Sequence, residues 1–234
     1  MSLPFFYTEE IASPGAVMVL DETTSKHINQ VLRMRTNDLL HLTNGKGKKL
    51  LASVRDQTKK SSSVYVREEE DIPPRPQQIT IAISLLKNTS RFEWFLEKAT
   101  ETGISAIVPV ICERTERTHF RTDRMKNILV SAMLQSQQCW LPALPDPVPF
   151  RQWVTAVEGD TRLIAHCMEL EKEPLSKLAQ IPGNKSICIG PEGDFTPEEL
   201  ELALKSGFRP VSLGSTRLRT ETAAIAAAVL LGIQ

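Results

Sequence analysis

The stretch that most limits how this chain can fold is residues 67–78, REEEDIPPRPQQ, where four consecutive acids precede three prolines within four positions. Adjacent like charges repel and offer no apolar surface to bury. Proline removes a backbone donor and cannot continue a ladder. The segment is therefore expected to act as an interdomain linker, with a boundary near residue 73 that separates a domain of residues 1–72 from one of residues 73–234.

The two sides differ in pattern. Before the linker, residues 16–20, 39–43, 50–54 and 64–66 have the short apolar or alternating runs of half-buried strands. Asn44-Gly45-Lys46-Gly47 is a hairpin signal, since Asn and Gly accept the positive φ of tight turns. One helix is expected at residues 25–34, from the spacing of Ile28, Val31 and Leu32. Together these suggest a small barrel with one helix.

After the linker, strands and helices alternate, which predicts an α/β domain. Strands are expected at 79–86, 104–111, 162–166, 185–189 and 210–213, and helices at 91–102, 122–138 and 220–231. Thr196-Pro197-Glu198-Glu199 predicts a further helix start, with Thr196 as N-cap, Pro197 in first position and Glu199 completing a capping box. The continuous apolar runs are those of a buried parallel sheet.

Several function classes fall away on composition. No run approaches the roughly 18 apolar residues of a membrane span, and the start, MSLPFFYTEE, lacks the order of a secretory signal. A cytoplasmic protein is expected. Cys112, Cys139, Cys167 and Cys188 include no CxxC pair, and His27, His41, His119 and His166 show no ligand spacing. Buried free thiols are expected, and no metal. The formal net charge is zero, yet nine Lys/Arg lie between Lys26 and Lys60 against Asp38 and Asp56. Such a segment can grip phosphates or be a solvated surface; charge alone does not choose.

Two Gly-bearing loops follow apolar strands, at residues 189–195 (IGPEGDF) and 213–223 (LGSTRLRTETA). Ligands of open α/β sheets sit at the carboxyl ends of strands. Glycine also lets main-chain groups approach a ligand closely, although Gly-Pro-Glu-Gly is equally a simple turn. Neither loop has a nucleotide-phosphate pattern, which suits a ligand without phosphates. In the last helix, five of residues 223–228 are alanine, as helix propensity or close backbone packing would favour. Arg217, Arg219 and Glu221 stand at its mouth, where positive charge suits an RNA phosphate or a developing anion.

Residues 190–200 (GPEGDFTPEEL) with residues 213–228 (LGSTRLRTETAAIAAA) resemble the ribosomal RNA small subunit methyltransferase E family, uridine-N3 methyltransferases of the knotted SPOUT superfamily. The likeness runs along the chain. It includes His27 with Val31-Leu32-Arg33-Met34, Asn44-Gly45-Lys46-Gly47, Lys87 to Arg91, Glu97 to Ile104, Glu113-Arg114-Thr115 and Gln135-Ser136. Three departures stand out. Asp194 replaces a common second glycine, Leu134 replaces the usual Glu before Gln-Ser, and the Arg that often follows is replaced within Gln137-Gln138. The last two fall at an RNA or interface contact and leave the cofactor loops intact.

The resemblance implies a PUA-like β-barrel at residues 1–72 and a SPOUT-type α/β domain with a trefoil knot at residues 73–234. It implies a homodimer whose active sites use both subunits, and S-adenosylmethionine as cofactor. The substrate would be N3 of a specific uridine in 16S ribosomal RNA of the small subunit. The carried-over cofactor residues are Ile189, Gly190, Glu192, Gly193, Leu213, Gly214, Leu218 and Thr220, with His166 lining the pocket rather than acting as a base. Arg219 is the first catalytic candidate, then Arg114 and Arg91, each also compatible with a phosphate contact or an exposed charge. Glu101 is expected to pair with Lys98 or Lys87. RNA contacts are expected from Lys26, Arg33, Arg35, Lys46, Lys48 and Lys98. Two alternatives stay open: the same fold acting on another RNA or on ribose 2′-OH, and a non-catalytic RNA-binding ribosome-assembly factor.

Overall fold

The computed structural model describes residues 3–58 and 61–233. Lys59 and Lys60, counted above in the basic segment, lie outside the described residues. Contacts group the chain into two units: one runs to Pro74 and takes in Met133–Leu141, the other comprises Arg75–Ala132 and the chain from Pro142 onward.

The first unit holds β1 (Phe5–Tyr7), β2 (Val17–Val19), α1 (Glu22–Lys26), β3 (Leu39–Thr43), β4 (Lys48–Gln57) and β5 (Ser62–Asp71). They form a five-stranded sheet ordered β1-β3-β4-β5-β2, antiparallel except for β1 on β3. Alternation puts Leu40, Leu42, Leu50, Ala52, Val54, Val64 and Val66 into one core with Ile28. The turn between β3 and β4 uses Gly45 at φ 66° and Gly47 at φ 87°, while Asn44 Oδ1 accepts the Lys46 amide at 2.9 Å. Met133–Leu141 belongs here because it bonds to that turn and beyond. Gly47 N–H donates to the Cys139 carbonyl at 2.8 Å, and Leu141 N–H to that of Gly45 at 2.8 Å. Trp140 Nε1 donates to the Ile72 carbonyl at 2.9 Å. A side chain at Gly47 would strike the Trp140 ring.

Two expectations are corrected in this unit. The acids at 68–71 do continue the ladder, lying in β5 opposite Lys48, Lys49, Leu50 and Leu51. The Lys48 ammonium contacts Glu69 and, at 2.8 Å, Asp71, and Lys49 reaches Glu70 at 3.4 Å. Opposite charges facing across strands cancel the repulsion that the run has in isolation. The helix expected at 25–34 begins earlier, capped by Asp21, and loosens into a π-helical turn over His27–Val31. Ile28 is fully buried, but Val31 and Leu32 are 68% and 42% exposed, so their spacing does not mark a buried face.

The second unit follows the order β6 (Ile79–Ser84), α2 (Thr89–Glu101), β7 (Ala106–Ile111), α3 (Thr122–Gln135, its end in the first unit), β8 (Val148–Pro149), α4 (Phe150–Ala156), β9 (Thr161–Ala165), β10 (Glu173–Pro174), α5 (Leu175–Ala179), β11 (Lys185–Ile189), α6 (Pro197–Lys205), β12 (Arg209–Ser212) and α7 (Thr220–Gly232). All paired strands of its seven-stranded sheet, β10-β12-β9-β11-β6-β7-β8, are parallel. Ala82, Cys188 and Ile164 stand side by side on neighbouring strands. They share one core with Phe150, Trp153 and Val154 of α4 and with Leu200 and Ala203 of α6. α7 packs with α2, α5, β6 and β11. Its Ala223, Ala224, Ala227 and Ala228 are buried, and small side chains allow that close approach.

No helix among the described residues is long and apolar enough to cross a membrane. None of their His, Cys, Asp and Glu form a group of three or more that could hold a metal ion. Cys112, Cys139 and Cys188 are buried, and burial pushes all three thiols up, Cys188 well above the ordinary range. Cys167 departs from the expectation and is exposed, because it sits just past β9 at the rim of a cleft.

Candidate functional site

The carboxyl ends of β9, β11 and β12, neighbours in the sheet, open into a cleft of ≈ 740 Å³. Ala165, His166 and Cys167 line it after β9. Ile189 to Glu192 and Asp194 line it after β11, Val211 to Thr220 after β12, and Arg91 enters from α2.

The loop after β11 is fixed from three sides. Asp194 N–H donates to the Pro191 carbonyl at 2.9 Å, closing a turn, and Asp194 holds φ 62°. That conformation favours glycine, and Asp accepts it when its carboxylate bonds locally. Here Oδ1 accepts the Phe195 amide at 3.0 Å, and Oδ2 accepts the Cys167 amide at 2.9 Å, tying the loop to the end of β9. Phe195 is fully buried, with its ring 5.2 Å from that of Phe150. The α6 capping box closes the loop: Thr196 and Glu199 bond each other's amides at 3.2 and 3.0 Å. Glu199 also accepts the Glu113 amide at 2.9 Å. Arg114 donates to the carbonyls of Gly193 at 2.7 Å and Phe195 at 3.3 Å.

Charge is divided across the cleft. Arg91, Lys172, Arg217 and Arg219 line it with Glu192 and Asp194. Arg91 is held by buried Glu221 at 3.6 Å, whereas Arg217 and Arg219 are exposed and have no ion-pair partner among the described residues. Gly214, at φ 133° with open space beside it, keeps the β12 loop in a conformation that side chains resist.

His166 is the most telling group. It is 8% exposed, and neither ring nitrogen has a hydrogen-bond partner among the described residues. Such a group is costly unless something pairs with it. Burial, then the Lys172 charge, lowers its pKa against the opposing pull of Asp194, so the ring is neutral at pH 7, with one donor and one acceptor to offer. The sign follows directly. As pH falls below about 6.5 the unfolded chain takes up the proton before the folded one, so the stability carried by neutral His166 is complete above that pH and declines below it. His166→Gln is expected to flatten the fall in Tm as pH drops below about 6.5, measured by thermal unfolding across a pH series.

Of the residues expected from sequence, the cleft gathers His166, Ile189, Gly190, Glu192, Leu213, Gly214, Leu218, Thr220, Arg91 and Arg219. It does not gather Arg114 or Gly193, which brace the loop from outside the lining. Lys26, Lys48 and Lys98 are engaged by Glu22, by Glu69 and Asp71, and by Glu97 and Glu101. Arg33, Arg35 and Lys46 are exposed without an ion pair among the described residues. Sequence reasoning missed Lys172 and Asp194. Asp194 lies inside a loop already singled out, whereas Lys172 carries no pattern that points to it.

The model of the RNA methyltransferase domain family matches residues 73–232. The ribosomal RNA small subunit methyltransferase E of Synechocystis sp. is 31% identical over 216 residues, covering 89% of this chain and 70% of the relative. A probable rRNA-methyltransferase from Porphyromonas gingivalis superposes with a TM-score of 0.91 at 36% identity over 99% of both chains. The ribosomal RNA small subunit methyltransferase E of Neisseria gonorrhoeae, solved bound to S-adenosyl methionine, gives 0.87 at 32% identity, over 97% of this chain and 96% of that one. The chain belongs to the ribosomal RNA small subunit methyltransferase E family.

Proposed function

We propose that the chain methylates N3 of a specific uridine in 16S ribosomal RNA of the small subunit, with S-adenosylmethionine as methyl donor, in the cytoplasm and as a homodimer. The observation that carries this is a cleft at three adjacent strand ends, lined by two Gly-bearing loops and by a neutral His166 with no hydrogen-bond partner among the described residues. An adenosyl group fits those features. Main-chain groups of the two loops can read an adenine edge, and ribose hydroxyls supply both a donor and an acceptor to the imidazole. Ile189, Gly190, Glu192, Leu213, Gly214, Leu218, Thr220 and His166 would hold it, and Gly193 contributes through the turn that Arg114 braces.

When bound, S-adenosylmethionine supplies an electrophilic methyl group on a sulfonium. The chain's own part is to stabilise the uracil ring as N3 gives up its proton to water and negative charge spreads onto the flanking carbonyl oxygens. A fixed cation aimed there lowers the barrier. Arg219, at the N-cap of α7 and without an ion-pair partner among the described residues, is available for this role. Arg91 is committed to Glu221 and Arg114 to loop carbonyls, so both serve as positioning groups. Arg219→Ala is expected to lower kcat by about 100-fold with cofactor affinity little changed, and Arg219→Lys to restore part of it, read by steady-state kinetics and calorimetry.

Other features support the finer description. β11 lies between β9 and β6, both laid down earlier in the chain, as a threaded carboxyl end requires. The mostly antiparallel sheet of the first unit is compatible with a PUA-like barrel, and Arg33, Arg35 and Lys46 are among its exposed cations without an ion pair among the described residues, available to RNA. Trp94 on α2 and Val229 on α7 are 45% and 40% exposed, apolar surface suited to a second copy. The test is methyl transfer to small subunits lacking the modification, followed by nucleoside mapping. 3-Methyluridine is expected; a 2′-O-methyl product, or no transfer, overturns the assignment.

A further inference from the structure

A second cleft, ≈ 200 Å³, lies in the same unit and is lined by Thr89, Ser90, Glu93, Arg117, His119, Arg121, Arg124 and Met125. Its construction is specific. Phe120 packs edge-on against Phe92 of α2, ring centroids 5.8 Å apart, which anchors the segment carrying His119 and Arg121 over the first turn of that helix. Arg124 grips Glu93 with two contacts, Nε at 2.7 Å and Nη2 at 2.9 Å, which joins α3 to α2 and neutralises the one acid in the lining. Arg117 and Arg121 are left exposed, with no ion-pair partner among the described residues.

Helix amides contribute little here. The Ser90 amide is taken by Asn88 Oδ1 at 2.9 Å and the Arg91 amide by the Asn88 carbonyl at 3.1 Å. The positive potential therefore comes from side chains, and the Thr89 and Ser90 hydroxyls add neutral donors. Paired guanidinium groups with hydroxyls are the chemistry that binds a phosphodiester.

The placement links this cleft to the reaction site. Ser90 lines the small cleft and Arg91, the next residue of the same helical turn, lines the large one. We propose that the small cleft binds a backbone phosphate of the RNA substrate, through Arg117 and Arg121, next to the nucleotide that enters the large cleft. This rests on the methyltransferase function proposed above.

The test uses the full chain and a 16S ribosomal RNA transcript in filter binding across a KCl series. Arg117→Gln with Arg121→Gln should weaken binding at least tenfold and reduce the slope of log K against log [KCl] by about 1, as expected when one phosphate contact is lost. Arg117→Lys with Arg121→Lys should keep most of the slope. S-adenosylmethionine affinity of the glutamine variant, measured by calorimetry, should stay at the wild-type value, which reports an intact fold. Wild-type affinity and slope in the glutamine variant, with wild-type methyl transfer intact, overturn the phosphate site alone. A wild-type protein that neither binds the transcript nor methylates small subunits lacking the modification overturns both the site and the function.

Discussion

Gly190→Val is expected to abolish measurable S-adenosylmethionine binding and to lower stability by about 1–3 kcal/mol, the usual range for overpacking a filled core. A Cβ at residue 190 would lie 2.9 Å from Phe195 Cε2 and 3.1 Å from Cδ2. Phe195 cannot yield: it is fully buried and stacked at a tilt on Phe150. The added side chain must then lift the loop after β11 into the cleft it borders. Gly190→Ala should be milder, since alanine adds one carbon and no branch. Phe195→Leu in the Gly190→Val background should recover part of the affinity, because it removes the ring that the new side chain meets. Calorimetry with S-adenosylmethionine and thermal unfolding read both effects; an unchanged affinity in Gly190→Val would separate this loop from the cofactor.

Glu199→Ala carries the largest expected loss of stability, roughly 3 kcal/mol, from one buried and one part-buried amide left without an acceptor. Glu199 is 3% exposed and accepts the amides of Thr196 at 3.0 Å and Glu113 at 2.9 Å. Those bonds join the start of α6 to the segment that carries Arg114, which in turn braces Gly193 and Phe195. At this chain length the loss corresponds to a fall in Tm of about 6–12 °C. Glu199→Gln keeps one acceptor and still suits a capping box, so it should lose about half as much. Equal losses for both variants in a melting experiment would show that the amides are not what Glu199 serves.

How much of this was legible in the sequence depends on how local each signal is. β11 was read to the residue because its apolar end, Ile187-Cys188-Ile189, runs straight into the Gly190-Pro191 turn. The start of α6 was read from one capping box. The cleft loops followed from the rule that α/β ligands sit at strand ends. What escaped is what depends on distant partners. The acids at 68–71 read as a linker because the lysines opposite them are about twenty positions away. Arg114, a catalytic candidate in the sequence, also braces the loop after β11 through acceptors 79 and 81 residues downstream, which no local pattern shows. β8 and β10 have two residues each, too few for any periodicity. Met133–Leu141 joins the first unit through backbone bonds to a glycine turn, which no side-chain pattern announces. Asp194 is instructive: the sequence showed only a missing glycine, whereas the structure shows a left-handed residue whose carboxylate ties two strand ends together.

The central claim is that the cleft at the ends of β9, β11 and β12 is the cofactor site, and a crystal structure with S-adenosylhomocysteine tests it most directly. The expected result is the adenosyl group in that cleft, with a ribose hydroxyl within hydrogen-bond distance of His166 and the adenine against the main chain of the β12 loop. Ligand found elsewhere on the chain, or a cleft that stays empty at saturating ligand with His166 still unpartnered, would contradict it.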